Sequence, residues 1–216
     1  MATTDRVEEF LQGLRLELEK AAPSIGGVVS PGSVEFPEVG AALQVQFPGV
    51  KGTYGTVPVW ITFSIASDCS QLLAGQPINK PTVTMVDYLR PWLQVYAYQR
   101  CPFVLWVTPE RTDIMTKITR ALRLESSGLR SGWPELDDRY LLDCRSGRES
   151  AEGFLRTPAA RDALQVLGEL HLLSFGQTHI KLVTSVEKPG DCESETVLKH
   201  VRALSRLADL LRSVDR

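Results

Sequence analysis

Apolar and polar positions alternate along this chain with two clearly different periods. From Asp5 to Ala22, the residues Val7, Phe10, Leu11, Leu14 and Leu18 recur at helical spacing, with Glu8, Glu9, Arg15 and Glu19 on the other side. This predicts an amphipathic helix closed by Pro23. Residues 23–40 hold Pro23, Gly26, Gly27, Pro31, Gly32, Pro37 and Gly40, so a long connection is expected there. The period then changes to two. Leu43, Val45 and Phe47 alternate with glutamines, and Val57, Val59, Ile61, Phe63 and Ile65 alternate with Thr56, Pro58, Trp60, Thr62 and Ser64. The turn-rich stretch 48–55 between them predicts a hairpin.

Residues 68–81 read as a loop, and 82–86, 92–98 and 102–107 as further strands, giving an antiparallel sheet of about four or five strands. Thr108-Pro109 offers a helix start for the stripe Ile114, Met115, Ile118, Ala121 and Leu122, which ends before Gly128. After a bend at Gly132-Trp133-Pro134, a strand is expected over 139–144. Ser146-Gly147-Arg148-Glu149 matches a capping box ahead of a helix to Leu155, and Thr157-Pro158 opens another to about Glu169. Segments 170–175 and 178–186 pair across Gly176-Gln177. A last helix carries Val197, Val201, Leu204, Leu207 and Leu211. The order α, several β, α, β, α, α, β, β, α predicts an α+β fold with a largely antiparallel sheet and flanking helices. It is organised as one compact unit or as two packed lobes, 1–128 and 129–216.

Length and charge narrow the functional classes. The chain has 216 residues, 26 acidic and 24 basic, with a formal net charge of −2. That balance gives no drive toward nucleic acid, and no nucleic-acid partner is expected. No apolar run approaches the roughly 20 residues of a membrane span. Cys69, Cys101, Cys144 and Cys192 are scattered, and the chain opens without a basic and then apolar leader, so reduced thiols in a cytoplasm are expected.

The chemical motifs are incomplete. Gly49-Val50-Lys51-Gly52-Thr53-Tyr54-Gly55 has glycines around a lysine, but it leads into a strand rather than a helix and reads as a hairpin turn. Ser174 lacks the glycine of a nucleophile elbow, and Cys101, beside Arg100, has no base tied to it. His171 and His179 could meet across their hairpin, without a third ligand, and His200, between Lys199 and Val201 with Arg202 beyond, reads as solvated. No metal and no cofactor is expected. The final helix offers a modest basic face of Lys199, Arg202, Arg206 and Arg212, which reads as solvated.

Two constellations remain. Glu135, Asp137, Asp138 and Arg139, following Trp133, form the densest polar group. They could hold a cation or share a proton, or simply cap a turn. Trp60, and Trp92, Tyr96 and Tyr98, lie on the strand faces opposite the apolar residues, so the sheet carries aromatic material on its second face. That face is either covered by helices or offered to a ligand or another subunit. The reading that follows is a non-catalytic interaction or ligand-binding protein with a protein partner or self-association. A small molecule is the lesser option. The alternative is a small hydrolase or transferase acting through the cluster around Asp137 and Asp138.

The string Gly132-Trp133-Pro134-Glu135-Leu136-Asp137-Asp138-Arg139-Tyr140, with Pro158-Ala159-Ala160-Arg161-Asp162-Ala163-Leu164, resembles a bacterial domain family of unknown function. That family carries Gly-x-Pro-x-Phe-Asp-x-Arg-Phe followed by a strand and two helices. Gly52-Thr53-Tyr54-Gly55-Thr56-Val57-Pro58-Val59 is similar to its Gly-x-Tyr-x-Gly-x-Pro-Val hairpin, shifted by one residue. The resemblance implies a scaffold, with Asp137, Arg139 and Tyr140 as pattern positions, and implies no catalytic role.

Overall fold

A computed structural model of the chain describes residues 2–35, 44–65, 91–109, 129–168, 170–186 and 189–214. Helix α1 (Ala2–Ala21) runs into a 3-10 turn, Ala22–Ile25. Strands β1 (Val28–Ser30), β2 (Ser33–Glu35), β3 (Gln44–Gln46), β4 (Gly49–Tyr54), β5 (Val57–Ile65), β6 (Pro91–Tyr98) and β7 (Val104–Pro109) follow. Then come α2 (Pro134–Asp137), β8 (Tyr140–Ser146), α3 (Arg148–Leu155), α4 (Pro158–Leu167), β9 (Leu172–Phe175), β10 (His179–Ser185) and α5 (Ser194–Val214). Eight of these strands form one sheet in the order β1-β4-β5-β6-β10-β9-β7-β8, and β2 pairs with β3 apart from it. The pairs β1/β4, β4/β5, β7/β8, β7/β9 and β9/β10 are all antiparallel. The fold is α+β.

Contacts divide the chain into two compact units, Met1–Val95 with Ser185–Leu198, and Tyr96–Thr184 with Lys199–Arg216. In the first unit, Leu11, Leu14 and Leu18 of α1 are buried at i, i+3 and i+7, as the helical stripe requires. Polar residues secure the helix surface and its neighbour. Arg15 and Glu19 pair at 2.7 Å, while Glu17 bonds Lys20 at 2.5 Å and accepts the Ser194 backbone N–H at 3.1 Å. Those contacts hold the Glu17 carboxyl below its usual range, the Lys20 hydrogen bond most and the Ser194 N–H less, against a partial burial that raises it. The same carboxylate supplies a partner at the N-terminus of α5, where free N–H groups and the helix dipole favour negative charge.

The stretch 23–55 departs from its sequence reading. The expected connection holds two short strands, β1 and β2. The supposed turn 48–55 is largely a strand, β4, and the hairpin reverses at Gly55-Thr56, with Tyr54 opposite Val57. Gly55 takes a left-handed φ of 59° there. Gly52 serves another purpose: a Cβ on it would strike the carbonyl oxygen of Ile25 and crowd Gly27. Backbone-to-backbone packing accounts for this glycine without any anion to cradle.

Strand β6 and, in the second unit, the β9/β10 hairpin stand where the periodicity predicts them. Thr157 caps α4 by accepting the Ala160 N–H at 3.3 Å, with Pro158 in the first turn. Two expectations fail. Thr108 and Pro109 end β7 rather than begin a helix, because they pair with Leu141 and Tyr140. The capping box does not form either: Ser146 closes β8, and Gly147, at φ 67°, occupies the cap position without a side-chain bond. A short helix, α2, stands where a bend was expected. The expected strand 82–86, the helical stripe 114–122 and Cys69 lie outside the described residues.

The core of this unit is built on one sheet face. Leu105, Val107, Leu142, Leu173, Phe175, Ile180 and Leu182 are buried there, with Phe103 and Phe154 packed on Phe175 at ring separations of 5.5 and 5.7 Å. From α5, the residues Val201, Leu204, Leu207 and Leu211 are fully buried. His200 shares that stripe. It is only 6% exposed, not solvated, because it lies one helical turn from Leu204.

Candidate functional site

The acidic group at 135–139 separates in the structure. Asp137 Oδ1 accepts the Ser131 N–H and hydroxyl, both at 2.8 Å, and Oδ2 accepts the Gly132 N–H at 3.1 Å. One carboxylate thus closes the 131–133 turn, and the Ser131 hydroxyl in turn accepts the Trp133 N–H at 3.0 Å. Glu135 faces Arg161 at 3.5 Å, and the Arg161 guanidinium lies 5.7 Å from the centre of the Trp133 ring. Arg139 lies over Tyr140 instead, at 5.8 Å. The Tyr140 hydroxyl donates to the Gly168 carbonyl at 3.2 Å and accepts the Leu170 N–H at 3.3 Å. Asp138 is exposed beside them. The side chains serve separate partners, and among the described residues no three His, Cys, Asp or Glu side chains are grouped to hold a metal ion. Asp137→Ala is expected to lose about 2 kcal/mol of stability in urea unfolding, from two to three charge-assisted bonds to a half-buried turn.

The histidines and cysteines are equally dispersed. The backbone of His171 bonds Val183 and that of His179 bonds Gly176, so the two imidazoles stand at opposite ends of the β9/β10 hairpin. Cys101 is buried and donates to the Gln99 carbonyl at 3.5 Å. Burial raises the Cys144 thiol, and burial with the nearby Glu17 and Asp191 carboxylates pushes Cys192 up to about 12. Neither is poised as a thiolate.

The second face of the sheet is more coherent. In the first unit, β5 and β6 bury Val59, Ile61, Leu93 and Val95 while Trp60 and Trp92 lie half-buried on the other side. Lys51 stands opposite Trp60 in the β4/β5 register, with its ammonium 5.1 Å from the ring centre. In the second unit, register brings distant residues into a row. Lys181 lies opposite Ser174, Ser174 opposite Trp106, and Trp106 opposite Asp143. Lys181 is 5.3 Å from the Tyr96 ring, and Arg145 covers Trp106 at 4.8 Å while pairing with Asp143 at 2.7 Å. Tyr96 and Tyr98 stack at 6.4 Å, and the His179 ring lies 5.5 Å from the first and 6.2 Å from the second. Partial burial, and then the positive charge of Lys181, lower the His179 pKa and favour its neutral ring.

Tyr98 and Trp106 are the exposed aromatics of this face, at 40% and 44%. The sequence reading marks Trp60, Trp92, Tyr96 and Tyr98 but misses Trp106, His179, Lys181 and Arg145. The signal for Trp106 is local, an outward position between Leu105 and Val107. Those for Lys181 and Arg145 depend on register, which no single strand contains.

The result is an α+β protein whose strands bury one face and leave amphipathic aromatic and cationic side chains on the other. No protein-family model matches the chain, and no curated protein sequence matches it. It is similar to the crystal structure of the mycobacterial trehalose monomycolate transport factor A, TtfA, at 13% identity, covering 93% of this chain and 95% of that one, with a TM-score of 0.45. Among the described residues, no helix is long and apolar enough to cross a membrane.

Proposed function

We propose that this chain is a non-catalytic binding protein that presents the open sheet face of its second unit to a protein partner or to a second copy of itself. One observation carries the reading. The rings of Tyr98 and Trp106 stand 40% and 44% exposed on strands whose opposite side chains, Leu105, Val107 and Ala97, are fully buried. Rings of this size gain about 1.5–3 kcal/mol when removed from water, and aromatic and arginine side chains dominate the binding energy of interfaces. Lys181 and Arg145 flank these rings and add specificity through charge. The proposed setting is a bacterial cytoplasm, which suits Cys101, Cys144 and Cys192 as free thiols.

Native mass spectrometry of the gently purified chain tests the reading. The expected result is mass above 23.9 kDa, either a multiple of it or an added component, that disappears in the Tyr98→Ala/Trp106→Ala double variant while the thermal midpoint stays within a few degrees. A bare monomer from the parent chain, or a complex that survives both substitutions, overturns it.

A further inference from the structure

A second feature of the same unit lies at one end of its sheet. The 98–104 segment, Ser146 at the end of β8 and the 177–178 turn enclose a cleft of about 1080 Å³, large enough for a small molecule. Tyr98, Gln99, Arg100, Ser146, Gln177 and Thr178 are polar residues of its lining, and neither aspartate nor glutamate is among its described lining residues.

Arg100 is the charged residue among the described lining residues of the cleft. Arg145, Arg148, Arg156, Arg161, Arg206 and Arg212 each lie within 4 Å of a carboxylate, whereas Arg100, like Arg130, Arg139 and Arg202, does not among the described residues. The exposed Arg100 guanidinium has no ion pair or hydrogen bond among the described residues. A planar guanidinium of this kind matches two oxygens of a carboxylate or phosphate, and it binds them more strongly where no built-in carboxylate competes.

The walls are held in place before any ligand arrives. The Cys101 N–H donates to the Gln177 carbonyl at 3.3 Å, tying the 99–102 loop to the opposite turn. Arg212 donates to Gln99 Oε1 at 3.2 Å and fixes that side chain. Gly147, in the left-handed region, brings its backbone against the Pro102 carbonyl and Phe103, where any Cβ would collide. Phe103 is itself buried between Phe154 and Phe175. Tyr98 then offers an aromatic ring at the rim, backed by Tyr96 and His179.

We propose that this cleft binds a small organic oxyanion, with Arg100 holding its phosphate or carboxylate and Tyr98 supporting an attached apolar ring. The site goes beyond the sheet-face reading and shares with it only Tyr98.

Titration of the full chain, followed by the His179 ring proton resonances, tests the proposal with three probes: phenyl phosphate, benzoate and inorganic phosphate. The expected result is saturable binding of phenyl phosphate or benzoate, whichever oxyanion the cleft prefers, and at least about tenfold weaker binding of inorganic phosphate, which has no ring for Tyr98. Arg100→Ala is expected to weaken the preferred probe by about tenfold or more, the loss of a charge-assisted contact, while Trp106→Ala leaves its affinity unchanged. Added salt should weaken it further. Absence of saturable shifts with all three probes overturns the site, as does equal affinity in Arg100→Ala. Inorganic phosphate binding as tightly as phenyl phosphate overturns the part assigned to Tyr98. Because Trp106→Ala acts only on the sheet face, failure of this site and failure of the interface reading are separable.

Discussion

Replacing Phe175 with alanine is expected to remove about 3–5 kcal/mol of stability, enough to threaten folding of its unit at physiological temperature. Phe175 is fully buried, and its ring packs against Phe103 at 5.5 Å and Phe154 at 5.7 Å. Strand β9 carries it between β10 and β7, opposite Ile180 and Leu105, so a cavity there has walls of paired backbone that cannot readily collapse. Phe175→Leu retains most of the volume and should lose about half as much or less. Urea unfolding followed by circular dichroism compares the two variants. If Phe175→Ala shifts the midpoint no further than Phe175→Leu, the aromatic cluster is not the anchor of this core.

Acid should destabilise the protein through His200 by an amount nearly as large. The imidazole is buried, its Nδ1 has no hydrogen-bond partner in the described structure, and burial, then the Lys199 charge, push it down to about 4, against a smaller opposing effect of its bond with the Leu167 backbone. An unfolded histidine takes up its proton near pH 6.5, while the folded one resists until about pH 4. The neutral ring therefore contributes its full stability above pH 6.5. That contribution is lost as pH falls, with a total of about 3 kcal/mol removed between pH 8 and pH 4. His200→Leu fills the site without a titratable group and should flatten much of this part of the profile, leaving the smaller His179 contribution and, at lower pH, that of the carboxylates. An unchanged pH profile in His200→Leu would show that the ring takes up its proton in the fold at the same pH as in the unfolded chain.

The same residue illustrates how a local reading misleads. Neighbours Lys199 and Arg202 make the segment look solvated, yet the spacing of residues 197, 200, 204, 207 and 211 puts His200 on the apolar stripe of α5. The information is present in the periodicity but is overruled by the neighbouring charges. Asp137 is a similar case with the opposite outcome. Its neighbours suggest a group of carboxylates, while its geometry gives it three donors from residues 131 and 132 and leaves Glu135 to Arg161.

The amino-acid sequence by itself determined the elements whose period decides their state. In α1 and α5, the i, i+3, i+4 stripes can bury only as helices. In β5 and β6, strict alternation can bury one face only as strands, and Thr157-Pro158 starts α4 through a cap and a preset φ. The second aromatic face, with Trp60, Trp92, Tyr96 and Tyr98, follows from that alternation too. Tertiary structure decided the rest. It made β4 a strand despite its glycines, because Gly52 lies under the Ile25 carbonyl and β1 pairs along its edge. It also assembled Lys181, Ser174, Trp106 and Asp143 in one row across four strands. No local signal specifies such a row, since each strand fixes only which way its own side chains point. Their neighbours are set by strand order and register, which only the packed sheet contains.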